Sequence, residues 1–321
     1  MDKKDERILK ELIKNSRSPL TKLSKKVDLS RENIYYRIQN LIKKDIIKDF
    51  VVNMDYRKLG FSHYVIFLQY DKITLEKEKN IIDYLKNSGN ASWIGPLTGK
   101  MSLCFDAYFK DTDELDNFLT DFLTRFKENI GEYLVLEVLE SEYFFNKIIS
   151  QTEIQKEKEV IKKKVKLDKT DLAILERLNN NSRVSYVDIS RGLRLTPNAM
   201  KQRIKHLEKN KIILEYSLSL NYKAFGFEWQ GLQIKLTNPN KEIETKVKDY
   251  FKENKKVVFF YQYKKSGIYD FDIGVLIKNS RELREFINEL RRKFYEDIKI
   301  IDTFLVLEES SSHKLPRTVF Q

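Results

Sequence analysis

The chain has 321 residues, a formal net charge of +12, 34% charged residues and a single cysteine. That length suffices for two domains of ordinary size or four small ones, and the lone thiol, Cys104, excludes an internal disulfide framework and any zinc site built on several thiolates. The amino terminus lacks the apolar core of a signal peptide and no apolar run approaches the roughly 18 residues of a membrane span, so a soluble, cytoplasmic protein with no membrane partner is expected.

Ile8, Leu9, Leu12 and Ile13 recur with helical spacing, Leu20, Leu23 and Val27 do so after Ser18-Pro19, and Ile34, Ile38, Leu41 and Ile42 form a third stripe. Three short helices are predicted. Between the second and third stands Asp28-Leu29-Ser30, whose serine is placed to cap the third helix. The β-branched and aromatic run Ile46 to Val52 reads as a strand, a wing after a helix-turn-helix. From Tyr64 the pattern gives a strand (Tyr64 to Tyr70), a helix (Leu75 to Asn87), strands Ala91 to Leu97 and Ser102 to Lys110, a helix (Glu114 to Glu128) and a strand (Tyr133 to Leu139). That β-α-β-β-α-β order implies a ferredoxin-like sandwich, with Cys104 read as a buried strand residue. Asn146 to Lys166, with seven Lys, three Glu and no Gly or Pro, is a charged linker, either a helix or a solvated tether.

The chain then repeats itself. Asp2 to Phe61 returns ungapped 166 positions later as Asp168 to Phe227, with about a third of its residues unchanged, among them Ile8/Ile174, Leu12/Leu178, Asn15-Ser16-Arg17/Asn181-Ser182-Arg183, Arg37/Arg203 and Gly60/Gly226. A period this long means duplicated whole domains rather than a solenoid. In the second copy Thr196 stands at the cap and Pro197 at the first helical position, where its missing donor costs nothing. Ile212 to Leu218 is the matching strand, and a second β-α-β-β-α-β follows at an offset of 168, with strands Gln230 to Leu236, Val257 to Tyr263, Phe271 to Lys278 and Lys299 to Leu307. The predicted fold is α+β: winged helix-turn-helix domains at 1–54 and 167–220, ferredoxin-like domains at 55–145 and 221–310, the linker 146–166 and a tail 311–321. Each sheet would leave an apolar face bare unless it pairs, so an internal pseudo-dimer is expected; it would present two recognition helices to successive major grooves, roughly 34 to 36 Å apart. Further homo-oligomerisation is compatible with this plan.

Charge follows the repeat. Residues 1–50 carry +6, 51–145 carry −6, and 146–166, 167–216 and 217–321 carry +4 each. Local excess on the repeated segment suggests an anionic polymer as its partner, the alternative being a Lys-rich surface throughout; combined with the helix-turn-helix order, the caps and the wing, the partner expected is double-stranded DNA. Opposite its apolar stripe the third helix displays Arg31, Glu32, Tyr35, Tyr36, Gln39 and Asn40, with Arg37 at the edge. Its counterpart displays Asn198, Lys201, Gln202, Arg203 and Lys205. Arg, Lys, Asn and Gln match base edges and phosphates; a solvated face of any helix is also polar, so the order of the elements carries the reading. The two faces differ, which implies different half-sites.

Leu20 to Gln39 and Tyr186 to Lys205 resemble the helix-turn-helix of the Lrp/AsnC (feast/famine) transcription regulators, and Asp171 to Leu175 with Asn181 to Ser185 is similar to that family's first helix and its exit. The resemblance covers nearly the whole chain twice, where the usual member has one copy. It implies a sequence-specific DNA-binding regulator whose ferredoxin-like part senses ligands and dimerises. In that family a Gly-Asp-Tyr-Asp turn lies near the site where amino-acid effectors bind. Here Gly267-Ile268-Tyr269-Asp270 matches in part, making Gly267, Tyr269 and Asp270 candidates for an amino-acid effector, whereas Gly99-Lys100-Met101-Ser102 hardly matches. The alternative is that Gly267 only supplies the turn and Asp270 caps local amides.

Two other classes compete with a DNA-binding regulator. Haem-pathway decarboxylases that resemble Lrp-type proteins would make the chain an enzyme, but His63, His206 and His313 are dispersed, with no metal-ligand pair, phosphate loop or nucleophile set. No catalytic residue, metal or cofactor is expected. An adaptor recruiting transcription machinery, through the acidic first sandwich, is the other.

Overall fold

The computed structural model describes residues 1–144, 147, 166–265, 267–310 and 314–321. The linker reading of 146–166 lies outside them apart from Lys147 and Lys166. The chain forms two compact units: Met1–Leu59 with Phe145–Phe225 and Phe320–Gln321, and Gly60–Phe144 with Gly226–Val319. Among the described residues no helix is long and apolar enough to cross a membrane.

The first unit holds both winged modules. Helices α1 (Lys3–Lys14), α2 (Leu20–Val27) and α3 (Arg31–Lys43) precede β1 (Ile47–Met54), and α6 (Lys169–Asn180), α7 (Tyr186–Arg191) and α8 (Pro197–Lys209) precede β6 (Ile213–Leu220). The three predicted stripes bury Ile8, Leu9, Leu12, Ile13, Leu23, Val27, Ile34, Ile38 and Leu41. Ile42 departs from the expectation and is 37% exposed, because α3 turns it one position beyond the buried stripe.

The predicted wings do not stand alone. Each copy supplies one strand, and β1 and β6 pair antiparallel with Val51 opposite Ser217, its own repeat equivalent. Leu218 and Leu220 of β6 pack into the core of the first module, beside Ile8, Leu12 and Ile38. Each strand has its backbone satisfied by the other copy, and the second copy completes the hydrophobic core of the first. Asp55 to Leu59, assigned from sequence to the sandwich, are tied to the winged unit instead: the Asp55 amide donates to the Ile212 carbonyl at 2.9 Å and Lys58 Nζ to that of Asn210 at 2.7 Å.

The second unit holds both sandwiches. One comprises β2 (Ser62–Tyr70), α4 (Leu75–Asn87), β3 (Ala91–Thr98), β4 (Leu103–Phe109), α5 (Thr112–Phe126) and β5 (Ile130–Tyr143). The other comprises β7 (Glu228–Leu236), α9 (Lys241–Glu253), β8 (Val257–Tyr263), β9 (Phe271–Ile277), α10 (Ser280–Lys293) and β10 (Ile298–Val306). The strand orders β3-β4-β2-β5 and β8-β9-β7-β10 are ferredoxin-like, and the sheets join edge to edge into a closed barrel. One seam pairs Val138 to Tyr143 of β5 with β8; the other pairs only Leu305 and Val306 of β10 with Thr98 and Leu97. The first seam explains why β5 runs past Leu139, where the sequence pattern ends it: Glu140 to Tyr143 find their partners in the other half. Closure removes two pairs of sheet edges that would otherwise template aggregation.

One face of each sheet is covered by its own two helices, giving one core around Ile66, Phe105 and Phe122 and another around Ile234, Phe251, Phe271 and Phe286. The opposite faces carry unusual polarity for so buried a place. His63 Nε2 lies 3.2 Å from Asp106 Oδ1, and the His63 ring stacks on Tyr108 at 4.6 Å. The Tyr261 hydroxyl donates to Asp106 at 3.3 Å and shares a 2.7 Å hydrogen bond with Tyr143. Asp272 accepts from Tyr263 at 3.2 Å on one oxygen, while among the described residues its other oxygen and Gln233 Nε2 have no hydrogen-bond partner. Burial first, and then the Asp106 charge, push the Asp272 carboxyl well above its ordinary range. Cys104 is buried in β4 and its thiol is likewise raised, chiefly by burial.

Candidate nucleic-acid interface

The turn that sets the third helix is built alike in both copies. Ser30 accepts from the Asn33 amide at 3.2 Å, and Thr196 from the Ala199 amide at 3.2 Å ahead of Pro197. The preceding Asp28 and its equivalent Arg194 both take the left-handed conformation, φ +57° and +51°. For non-glycine residues this costs about 1–2 kcal/mol each, and its recurrence on two unlike side chains marks the turn geometry itself as what both copies retain.

The candidate reading residues fall where the helical spacing put them. On α3, Arg31, Glu32, Tyr35, Tyr36 and Gln39 are exposed and Asn40 is half-buried; Tyr35 and Tyr36 show 57% and 66% of their surface. On α8, Asn198, Lys201, Gln202, Lys205 and His206 are exposed. Glu32 is turned to its own helix start: its backbone amide first, then the Ser30 hydroxyl, hold its carboxyl below the ordinary range.

Arg37 and Arg203 are used differently. Arg37 Nη1 donates to Asp2 at 2.7 Å and Asp5 at 2.8 Å, and Arg203 Nη1 to Asp168 and Asp171, both at 2.8 Å. Those aspartates form the capping boxes that start α1 and α6. Each guanidinium therefore locks the third helix to the amino terminus of the first, and its charge is met inside the module. The conserved spacing could not disclose this, because the partners lie 32 to 35 positions away.

In the sequence the Asn-Ser-Arg triplet stands out only as unchanged residues. In the structure it joins the modules. The buried hydroxyls of Ser16 and Ser182 share a 2.7 Å hydrogen bond. Arg17 Nη1 donates to the carbonyls of Ser182 and Val184, and Arg183 Nη1 to those of Ser16 and Ser18. The Ser16 and Ser182 amides donate to Tyr216 and Phe50 on the paired strands, at 3.1 and 2.9 Å. Arg17 also lies 4.9 Å from the Tyr186 ring centroid, and Arg183 lies 5.5 Å from that of Phe50. Burial, and then the Arg17 charge, lower Arg183. Identity at these three positions was the available signal, since a residue on a dyad must suit both copies.

The candidate effector turn is tied down by its own side chains. Gly267 takes φ +81°, the left-handed region that favours glycine. Asp270 is buried, accepts from the Leu236 amide at 2.9 Å and lies 3.3 Å from Lys235 Nζ. The Tyr269 hydroxyl donates to Asp302 at 2.6 Å. Asp270 thus caps an amide, on the neighbouring β7 rather than within its own turn, and these contacts anchor the β8–β9 connection.

The family model for winged helix-turn-helix DNA-binding proteins matches residues 1–48 and 167–213. An uncharacterized HTH-type transcriptional regulator of Pyrococcus furiosus is 31% identical over 146 residues, 44% of this chain and 92% of the relative. An HTH-type transcriptional regulator of Methanocaldococcus jannaschii is 34% identical over 123 residues, 38% of this chain and 80% of the relative. The regulator LrpC of Bacillus subtilis is 28% identical over 125 residues, with 84% of it covered. The chain belongs to the Lrp/AsnC family. Each relative matches less than half of this Lrp/AsnC protein, as one copy of a two-copy chain does. The siroheme decarboxylase NirDL shares the tandem fold, with a TM-score of 0.68 over 98% of this chain and 94% of that one at 16% identity.

Proposed function

We propose that this Lrp/AsnC protein is a DNA-binding transcriptional regulator that reads successive major grooves with α3 and α8. One observation carries the reading: the seryl pair, the crossed arginines and the β1–β6 ribbon fix two helix-turn-helix modules as a dyad-related pair, each leaving the solvent face of its third helix uncovered. A twofold pair of recognition helices is the arrangement that spans two half-sites of a duplex. The regulators among its relatives and the positive charge of both copies support it. Tyr35, Tyr36 and Gln39 would read one half-site and Asn198, Lys201, Gln202 and Lys205 the other, so the preferred operator is an imperfect palindrome. Arg37 and Arg203 hold the helices in place and contact neither base.

Selection of bound duplexes from a random pool, followed by fluorescence anisotropy on the selected site, tests this. Affinity should fall by about 0.9 log units per log unit of salt for each phosphate neutralised. Substituting Lys201 and Gln202 by Ala should cost about 1–3 kcal/mol at any base they read and relax preference in one half-site only. Binding that is indifferent to salt, or a strictly palindromic optimum, would end the reading. If the chemistry of the siroheme decarboxylase came with the shared fold, porphyrin absorbance would change on titration with the protein; the DNA reading expects no change.

A further inference from the structure

The two sandwiches are copies, yet their second helices have diverged in sign. Helix α5 carries four acidic residues and one basic, whereas its equivalent α10 carries three acidic and five basic. At an offset of 168 the reversal is position for position on the outward ridge: Asp113 becomes Arg281 and Asp116 becomes Arg284. Arg291 and Arg292 extend the basic ridge by two more turns, ending at Tyr295, which is 84% exposed.

The ridges are uncommitted. All six charged side chains are exposed, and no hydrogen bond or ion pair engages Asp113, Asp116, Arg281, Arg284, Arg291 or Arg292 among the described residues. Neighbouring carboxylates behave otherwise: Asp121 accepts from Tyr84, Glu114 from the Lys110 amide and Glu282 from Lys256 and the Lys278 amide. Glu285, Asn288, Arg291, Arg292 and Tyr295 line an open groove of about 460 Å³ along α10. With Glu285 the acidic residue among Arg281, Arg284, Arg291 and Arg292 on this ridge, the face is net basic and suits an acidic complementary surface.

We infer that α10 of one copy docks on α5 of a second copy of this chain, making a head-to-tail contact. The same polypeptide presents both complementary faces, on elements that duplication made equivalent in shape. Because the two faces are different, the contact is heterologous and its repetition yields a ring or an open chain rather than a closed dimer. A single helix ridge buries less than the roughly 1,200–2,000 Å² of a stable interface. The association is therefore weak, reversible and salt-sensitive.

Sedimentation equilibrium of the full chain without DNA tests this, so the outcome is independent of the proposed regulatory role. Between about 1 and about 100 µM protein, the span over which a weak contact fills, the weight-average mass should rise above 38.4 kDa. It should return to the monomer value when ionic strength rises from about 0.05 to about 0.5 M and the Debye length shrinks. Two variants separate the faces: Asp113→Arg with Asp116→Arg makes both ridges basic, and Arg281→Asp with Arg284→Asp makes both more acidic. Each should stay monomeric alone, and mixing the two should restore association. A wild type that remains monomeric throughout, or association surviving in both variants, overturns the inference. So does a basic ridge whose substitution weakens binding to duplex DNA while leaving the mass of the free protein unchanged, which would make nucleic acid the occupant.

Discussion

Ser16 and Ser182, 166 positions apart, point their hydroxyls at each other across 2.7 Å with no exposed surface. Such a pair stabilises only as a pair. Replacing either serine by alanine leaves the other hydroxyl buried without that partner, a cost of about 1–3 kcal/mol, whereas replacing both removes donor and acceptor together. The double substitution should therefore destabilise by less than the sum of the singles, measured by chemical denaturation followed on the helical signal. Strict additivity would mean that the two hydroxyls are not coupled.

The arginine clamps make a pH prediction. The Asp5 amide and then Arg37 hold the Asp2 carboxyl below its ordinary value of 3.8, and the Asp171 amide and then Arg203 do the same for Asp168. A depressed carboxylate contributes stability that is complete above the unfolded value and fades as pH drops through the folded one. The melting temperature of the winged modules should thus fall below about pH 4, and more shallowly in the Arg37→Ala, Arg203→Ala double variant. Equal slopes would assign the acid sensitivity to other groups.

Asp272 has the opposite sign. Its carboxyl is raised by burial, so it is neutral in the folded chain at pH values where the unfolded chain is ionised, and folding takes up a proton there. That penalty begins above the ordinary value of 3.8 and grows until the folded group itself ionises. Asp272→Asn keeps an acceptor for Tyr263 and removes the titration. The variant should be more stable than the wild type at neutral pH and indistinguishable from it near pH 3, read from denaturation midpoints across that range. A variant destabilised equally at both ends would show that the proton on Asp272 is used in a hydrogen bond the amide cannot replace.

Local pattern carried far through this molecule. The period-3.6 stripes located α1 to α3, the cap chemistry at Ser30 and Thr196 marked the starts of α3 and α8, and the β-α-β-β-α-β pattern placed all eight strands of the sandwiches. What was lost is long-range. Nothing in Ile47 to Met54 says that its partner is Ile213 to Leu220, since a lone strand looks the same whether it pairs with its own copy or the other. Likewise Arg37 sits at the edge of a polar face in any helical projection, and only the return of α1 shows that Asp2 and Asp5 claim it. Glu140 to Tyr143 are mixed in polarity because they form a seam rather than a face, so their alternation is weak. The exposed residues of α3 and α8 could be named from spacing because exposure is periodic; the interface that pairs the modules could not, because it is made of turn residues.

Position 63 is histidine, 3.2 Å from Asp106 in the barrel, and Trp229 holds the matching register of β7, opposite Leu276 of β9 as His63 is opposite Tyr108 of β4. Two separate subunits of one gene product must carry every change twice, and each must tolerate it in both places. Joining the halves covalently lifts that obligation: one lobe can carry an imidazole and a carboxylate while its twin carries an indole. Tethering has in this way turned symmetry from a requirement into a starting point.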